Sequence, residues 1–147
     1  MPSGNHTILF SLEGCLLAFG ANYEGQLGLD HKEHQLQPEK VSWNGPKPVQ
    51  VDCGGSHSLV LDVEGGVWDA GSSRAIYSSP TFELIPDLPR MAVIAAGGGF
   101  SAAIDTEGGL WVWTSYANLS WASSLPRRVE GLPPIMWKTV PKGLFDA

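Results

Sequence analysis

Charge is scarce in this sequence. Asp, Glu, Lys and Arg make up 16% of 147 residues, with 9 basic side chains against 15 acidic ones and a formal net charge of −6. A surface of that sign repels phosphate backbones, so direct nucleic-acid binding is not expected. The only adjacent basic pair is Arg127-Arg128. Cysteine is scarcer still. Cys15 and Cys53 cannot build a disulfide framework and suit a reducing compartment. They read as two small buried thiols, with a single Cys15–Cys53 bridge as the alternative. No stretch nears the roughly 20 apolar residues of a membrane span. The apolar run Ile8–Phe10 is broken by Ser11 and Glu13 and has no basic residue ahead of it, so it does not read as a secretory signal. Asn5-His6-Thr7 and Asn118-Leu119-Ser120 match the glycosylation pattern, which carries no weight without such a signal. A cytoplasmic location, or a nuclear one, is expected. Helical periodicity is missing as well: no window holds it for about ten residues, and Pro or Gly interrupts most of them.

What the sequence has in quantity is turn formers. It contains 18 Gly and 11 Pro within a composition that is 43% hydrophobic. A folded chain of that kind has many turns and short strands, which predicts an all-β domain over residues 1–147. Self-similarity gives it order. Gly4-Asn5-His6-Thr7-Ile8-Leu9 returns 51 residues later as Gly55-Ser56-His57-Ser58-Leu59-Val60. The same shift carries Glu13-Gly14 onto Glu64-Gly65 and Ala18-Phe19-Gly20 onto Asp69-Ala70-Gly71. A third copy, 43 residues further on, has Gly98-Gly99-Phe100-Ser101-Ala102-Ala103 and Glu107-Gly108.

Each copy has one grammar. A short apolar strand (Thr7–Phe10, Ser58–Leu61, Ser101–Ile104) runs into a polar turn where Gly14, Gly65 or Gly108 can supply positive φ. A second strand returns (Cys15–Phe19, Val67–Trp68, Leu110–Trp113). A Pro then precedes a third strand, and a fourth (Val49–Cys53, Ala92–Ala96) leads into the next copy. Four short antiparallel strands every 40 to 50 residues is the spacing of a propeller blade. About three four-stranded blades are predicted, near 1–48, 49–91 and 92–134, with a tail at 135–147.

The residues that carry this grammar resemble the regulator of chromosome condensation repeat. They are His6, Gly14, Phe19-Gly20 and Asn22-Tyr23-Glu24-Gly25-Gln26-Leu27-Gly28 in the first copy, then Cys53-Gly54-Gly55-Ser56-His57, Gly65 and Gly71 in the second, and Gly108 in the third. The chain departs from the pattern at Ser72-Ser73-Arg74-Ala75, where the Gly-Gln-Leu-Gly tract should stand, and at Thr114, which replaces a Gly. The sequence opens inside a blade, just before His6, and stops soon after Trp137-Lys138-Thr139-Val140. Family members usually close seven blades. Three leave edges open at both ends, which predicts self-association, completion by another blade-bearing segment, or a cap by the Pro-rich stretch Pro133-Pro134 to Pro141.

Chemistry-bearing residues fit structural roles. His6 and His57 are equivalent, and Cys53 lies four before His57; a structural zinc needs four ligands, and the third copy has Ala96 and Phe100 there. The histidines read as packing groups that bond a neighbouring carbonyl. Asp62, Glu64, Asp105 and Glu107 recur because the turns recur. Neither a nucleophile elbow nor a phosphate loop is present, and Gly97-Gly98-Gly99 joins strands, so no catalytic residue, cofactor or metal is expected. Of six Trp, Trp68, Trp111 and Trp113 sit on matched strands and read as packing. Trp43, Trp121 and Trp137 lie in loop segments, as anchors or as partner-binding positions. The resemblance implies a non-enzymatic protein-interaction scaffold. Its alternatives are a nucleotide-exchange regulator of a small GTPase and a degenerate fragment with no independent role.

Overall fold

The computed structural model describes residues 5–74, 77–116 and 125–136. They form three antiparallel sheets side by side. In the first, β1 (His6–Phe10), β2 (Leu16–Gly20) and β3 (Gln35–Lys40) follow one another. The second runs β4 (Pro48–Cys53), β5 (His57–Asp62), β6 (Val67–Arg74) and β7 (Tyr77–Leu84). The third runs β8 (Met91–Gly97), β9 (Phe100–Asp105), β10 (Leu110–Thr114) and the short β11 (Arg127–Arg128). We call these blades 1, 2 and 3. The all-β blade architecture is the expected one, and the three Glu-Gly hairpins occupy like settings, with φ of +89° at Gly14, +85° at Gly65 and +89° at Gly108.

Three details differ from the sequence reading. Blade 1 has three strands rather than four among the described residues. Pro38 and Pro80 lie within β3 and β7, not ahead of them, each at a register shift. An outermost strand tolerates Pro because one side of it has no ladder to donate to. β6 extends to Arg74, well beyond the expected Val67–Trp68, because Ser72–Arg74 continue the strand where blade 1 turns away at its Gly-rich tract.

The core lies between the blades. One cluster joins blade 1 to blade 2 through Ile8, Leu16, Ala18, Leu27, Val41 and Val60. The other joins blade 2 to blade 3 through Leu59, Leu61, Val67, Ile85, Met91, Ile94, Ala103 and Trp113. Strand alternation explains the division: Leu59 and Leu61 face one neighbour and Val60 the other, so every residue of β5 is buried. Each such aliphatic side chain contributes about 1.5–3 kcal/mol by leaving water.

The Gly-Gln-Leu-Gly tract is the wedge between blades 1 and 2. Asn22 is fully buried, donates from Nδ2 to the carbonyls of His31 (2.8 Å) and Glu33 (3.0 Å), and accepts from Leu27 N–H (3.0 Å). Gln26 is buried and accepts from Glu24 N–H at 2.9 Å. Gly25, at φ +83°, passes so close to blade 2 that a Cβ would stand 2.5 Å from Pro80 Cα. Gly25→Ala is therefore expected to destabilise the fold by about 1–3 kcal/mol, from backbone strain plus overpacking, as read by urea unfolding.

Candidate functional site

The repeated histidines hold successive blades together. His6 Nε2 lies 2.8 Å from Ser58 Oγ in blade 2 and 3.1 Å from the His57 carbonyl. Ser58 commits its own proton to the Gln26 carbonyl at 2.6 Å, so His6 Nε2–H is the donor. One blade on, His57 Nε2 lies 2.8 Å from Ser101 Oγ of blade 3. His57 is fully buried, and its Nδ1 has no hydrogen-bond partner among the described residues. Burial, helped by the nearby His6 and opposed by Asp52, pushes its pKa down to about 4. The expected carbonyl bond is present at His6, but the hydroxyl of the following blade is the shorter contact. The substitution of Phe100 in the third copy is not equivalent. Phe100 is exposed and packs edge-on against Tyr116, with ring centroids 5.4 Å apart, so it does not fill the space His57 fills.

The carboxylates of the turns are equally structural. Asp62 Oδ1 accepts from the N–H groups of Glu64 (2.8 Å) and Gly66 (2.9 Å), while Oδ2 accepts from Trp68 Nε1 (2.8 Å). Asp105 repeats this with Glu107, Gly109 and Trp111. Burial disfavours the Asp105 charge, yet the bonds from Gly109, Trp111 and Glu107, with Arg128 nearby, outweigh it and hold the pKa below the usual range. Spacing alone could have shown this: Asp-x-Glu-Gly-Gly-x-Trp occurs twice, and sequence reasoning noted the turns without pairing Asp with Trp. Both cysteines are free thiols, and burial raises the pKa of Cys53 against the Ile8 N–H and the Ser58 hydroxyl, with Asp52 adding to the rise. Among the described residues, no three His, Cys, Asp or Glu gather as metal ligands.

Trp43 is a half-buried loop anchor. Its ring centroid lies 4.8 Å from that of Trp68 and 5.9 Å from that of Phe82, and its Nε1 donates to the Pro46 carbonyl at 2.8 Å. Trp121 and Trp137 lie outside the described residues.

The surface best suited to a partner is the loop face at one end of the blades. A cleft of about 310 Å³ runs across it, lined by Glu24 of blade 1, Ser56 and Ser72 of blade 2, and Gly98, Ser115 and Tyr116 of blade 3. Adjacent loops tie the floor together, with Gly55 N–H donating to the Gly98 carbonyl at 2.8 Å. The Gly97-Gly98-Gly99 run seats Tyr116: a Cβ at Gly99 would meet that ring at 2.7 Å, and Ser115 N–H bonds the Gly99 carbonyl at 2.8 Å. Tyr116 stands exposed in the cleft with Phe100 packed against it, and Tyr23 is exposed with its ring edge-on to His34. Exposed aromatic rings are the side chains that most often anchor protein interfaces.

Successive antiparallel blades packed through interblade cores define a β-propeller-type fold. The particular kind follows from comparison: residues 13–61 match the family model "Regulator of chromosome condensation (RCC1) repeat". It is 41% identical over 73 residues to the Regulator of chromosome condensation of Xenopus laevis, covering 48% of this chain and 17% of that protein. In fold it is similar to human WBSCR16, with TM-score 0.74, 22% identity, and coverage of 85% of this chain and 35% of that one. It is also similar to Prp20p of Saccharomyces cerevisiae, whose crystal structure was described with its binding properties to Gsp1p and histones. There the TM-score is 0.72 and the identity 17%, over 86% of this chain and 36% of that one. The matched stretches span 7% to 17% of the curated relatives' length.

Proposed function

We propose that this chain is a protein-interaction module that docks its partner on the loop face across blades 1 to 3. The carrying observation is the exposed pair Tyr116 and Phe100, packed ring against ring at a polar cleft whose walls are tied by interblade bonds. The chain supplies binding, not bond-making chemistry, and works without a cofactor inside the cell, where its two free thiols are at home. A small GTPase is the partner class to test first, because the similar Prp20p was described as binding Gsp1p.

A second reading, acceleration of nucleotide release from such a GTPase, rests on the same likeness. One experiment separates the two. The chain is titrated into a panel of small GTPases loaded with fluorescent GDP, recording both binding and release. Binding without faster release supports the module, and accelerated release supports the exchange regulator. Tyr116→Ala is expected to weaken binding at least tenfold, with an unchanged circular-dichroism spectrum. Unchanged affinity in that variant would move the site elsewhere.

A further inference from the structure

Of the four Asn in the sequence, Asn44 alone is followed by Gly; Asn5 precedes His6, Asn22 precedes Tyr23 and Asn118 precedes Leu119. Asn is thermolabile because its side-chain amide can be lost, and the following residue sets the pace. The backbone nitrogen of that residue is the nucleophile that attacks the amide carbon. Gly, with no Cβ, leaves the approach open and the backbone free to reach the conformation required.

The local structure suits this reaction at Asn44 and opposes it at Asn22. Asn44 is exposed in the loop between β3 and β4. Among the described residues, no hydrogen bond holds its side chain or the Gly45 N–H. Asn22, by contrast, is fully buried, and its amide is tied to the His31 and Glu33 carbonyls and to Leu27 N–H.

The surroundings of the loop give the reaction a consequence. Gly45 runs over two rings: a Cβ there would stand 2.7 Å from Trp68 Cζ2 and 2.9 Å from Trp43 Cζ2. The bond from Trp43 Nε1 to the Pro46 carbonyl, at 2.8 Å, spans the Asn44-Gly45 pair. Both ends of the loop are held, by Val41 N–H to the Leu16 carbonyl at 2.9 Å and by Val63 N–H to the Lys47 carbonyl at 2.8 Å. Trp43, Trp68 and Phe82 pack against the apolar cluster that joins blades 1 and 2.

We propose that Asn44-Gly45 is a site of spontaneous deamidation, and that isoaspartate formed there loosens the junction of blades 1 and 2. The Gly45 nitrogen bonds to Asn44 Cγ, the side-chain nitrogen leaves as ammonia with the Gly45 proton, and a succinimide closes. Water then opens one of its two carbonyls. Opening at Cγ leaves Asp; opening at the α-carbonyl leaves isoaspartate, whose main chain runs through the former side chain and is one carbon longer. Either product adds a negative charge. Only isoaspartate lengthens a segment held at both ends, and the slack lifts Trp43 from Trp68.

The full chain, stored for weeks at mildly alkaline pH and body temperature, is compared with Asn44→Gln and Asn44→Asp. Gln keeps the amide but must close a six-membered ring, which is slower. At least half of the stored wild type is expected to take a more acidic position on isoelectric focusing. It is also expected to accept methyl groups from S-adenosylmethionine through an isoaspartate methyltransferase, with peptide mapping placing the change at Asn44-Gly45. Asn44→Gln is expected to show at least tenfold less of both. Trp emission of the stored wild type is expected to move to longer wavelength. Fresh Asn44→Asp, which carries the charge on a main chain of ordinary length, is expected to emit as fresh wild type does. A stored wild type without the acidic form overturns the proposal. So does methyl acceptance that survives Asn44→Gln, which would place the chemistry at another residue. Unchanged emission from methyl-accepting wild type overturns it too, because the junction then tolerates the longer chain.

Discussion

Between pH 6.5 and 4 the folded protein is expected to lose about 3 kcal/mol of stability through His57 alone. The imidazole has a folded pKa of about 4 against 6.5 when free. Above pH 6.5 both states are neutral and the group has no effect on the balance. As the pH falls through that window the unfolded chain takes a proton that the folded chain refuses, so stability drops, and below pH 4 the loss levels off. About 2 kcal/mol of it should be gone by pH 5, before carboxylates protonate in number. Urea unfolding at pH 7 and pH 5 measures this directly. His57→Gln keeps a polar group near Ser101 but cannot titrate, so its stability should be nearly flat over the same range. An equally steep fall in His57→Gln would assign the effect to other groups. Because His57 bridges β5 to Ser101 of β9, acid acts on the junction between blades 2 and 3.

Arg74→Met is expected to be the most damaging single substitution, costing about 3–5 kcal/mol. Arg74 reaches Asp69 with Nε at 3.0 Å from Oδ2 and Nη2 at 3.3 Å from Oδ1, and both side chains are largely shielded from water. Burial raises the Asp69 pKa even with Arg74 and Ser73 opposing it, so the carboxylate is already held against its preference. Without the guanidinium, a buried charge stands alone or the carboxyl takes up a proton. The variant should then gain stability as pH falls towards the raised Asp69 pKa, the opposite sign to His57. Adding Asp69→Ala should recover at least half of the loss, because blade 1 has the buried Ala18 at the equivalent position. Thermal unfolding of the two variants decides the matter; a loss below about 1 kcal/mol in Arg74→Met would show the pair to be solvated.

This ion pair explains how blade 2 manages without the Gly-Gln-Leu-Gly tract. In blade 1, Asn22, Gly25 and Gln26 wedge the tract against Pro80 and Phe82 of the next blade. In blade 2 the strand continues instead, Arg74 folds back on Asp69, and Ser73 accepts from Trp113 Nε1 at 3.0 Å, joining blade 3. The departure from the repeat was visible in the sequence, and its replacement was not. An Asp and an Arg five residues apart signal nothing until β6 is known to extend past Gly71.

The sequence by itself determined the repeat, its hairpins and the class of fold. Those are local matters: Gly at the positive-φ position of each Glu-Gly turn and two-residue alternation in the strands are properties of short segments, and they recur because each blade solves the same local problem. The partners of the repeated grammar within this chain were decided only by tertiary structure. His6 meets Ser58 and His57 meets Ser101, Trp43 rests on Trp68, and Glu24 comes to line one cleft with Tyr116 across some ninety residues of chain. Such contacts depend on how one twisted sheet stacks on the next. Stacking is set by the packed interblade core as a whole, which no short window of residues contains.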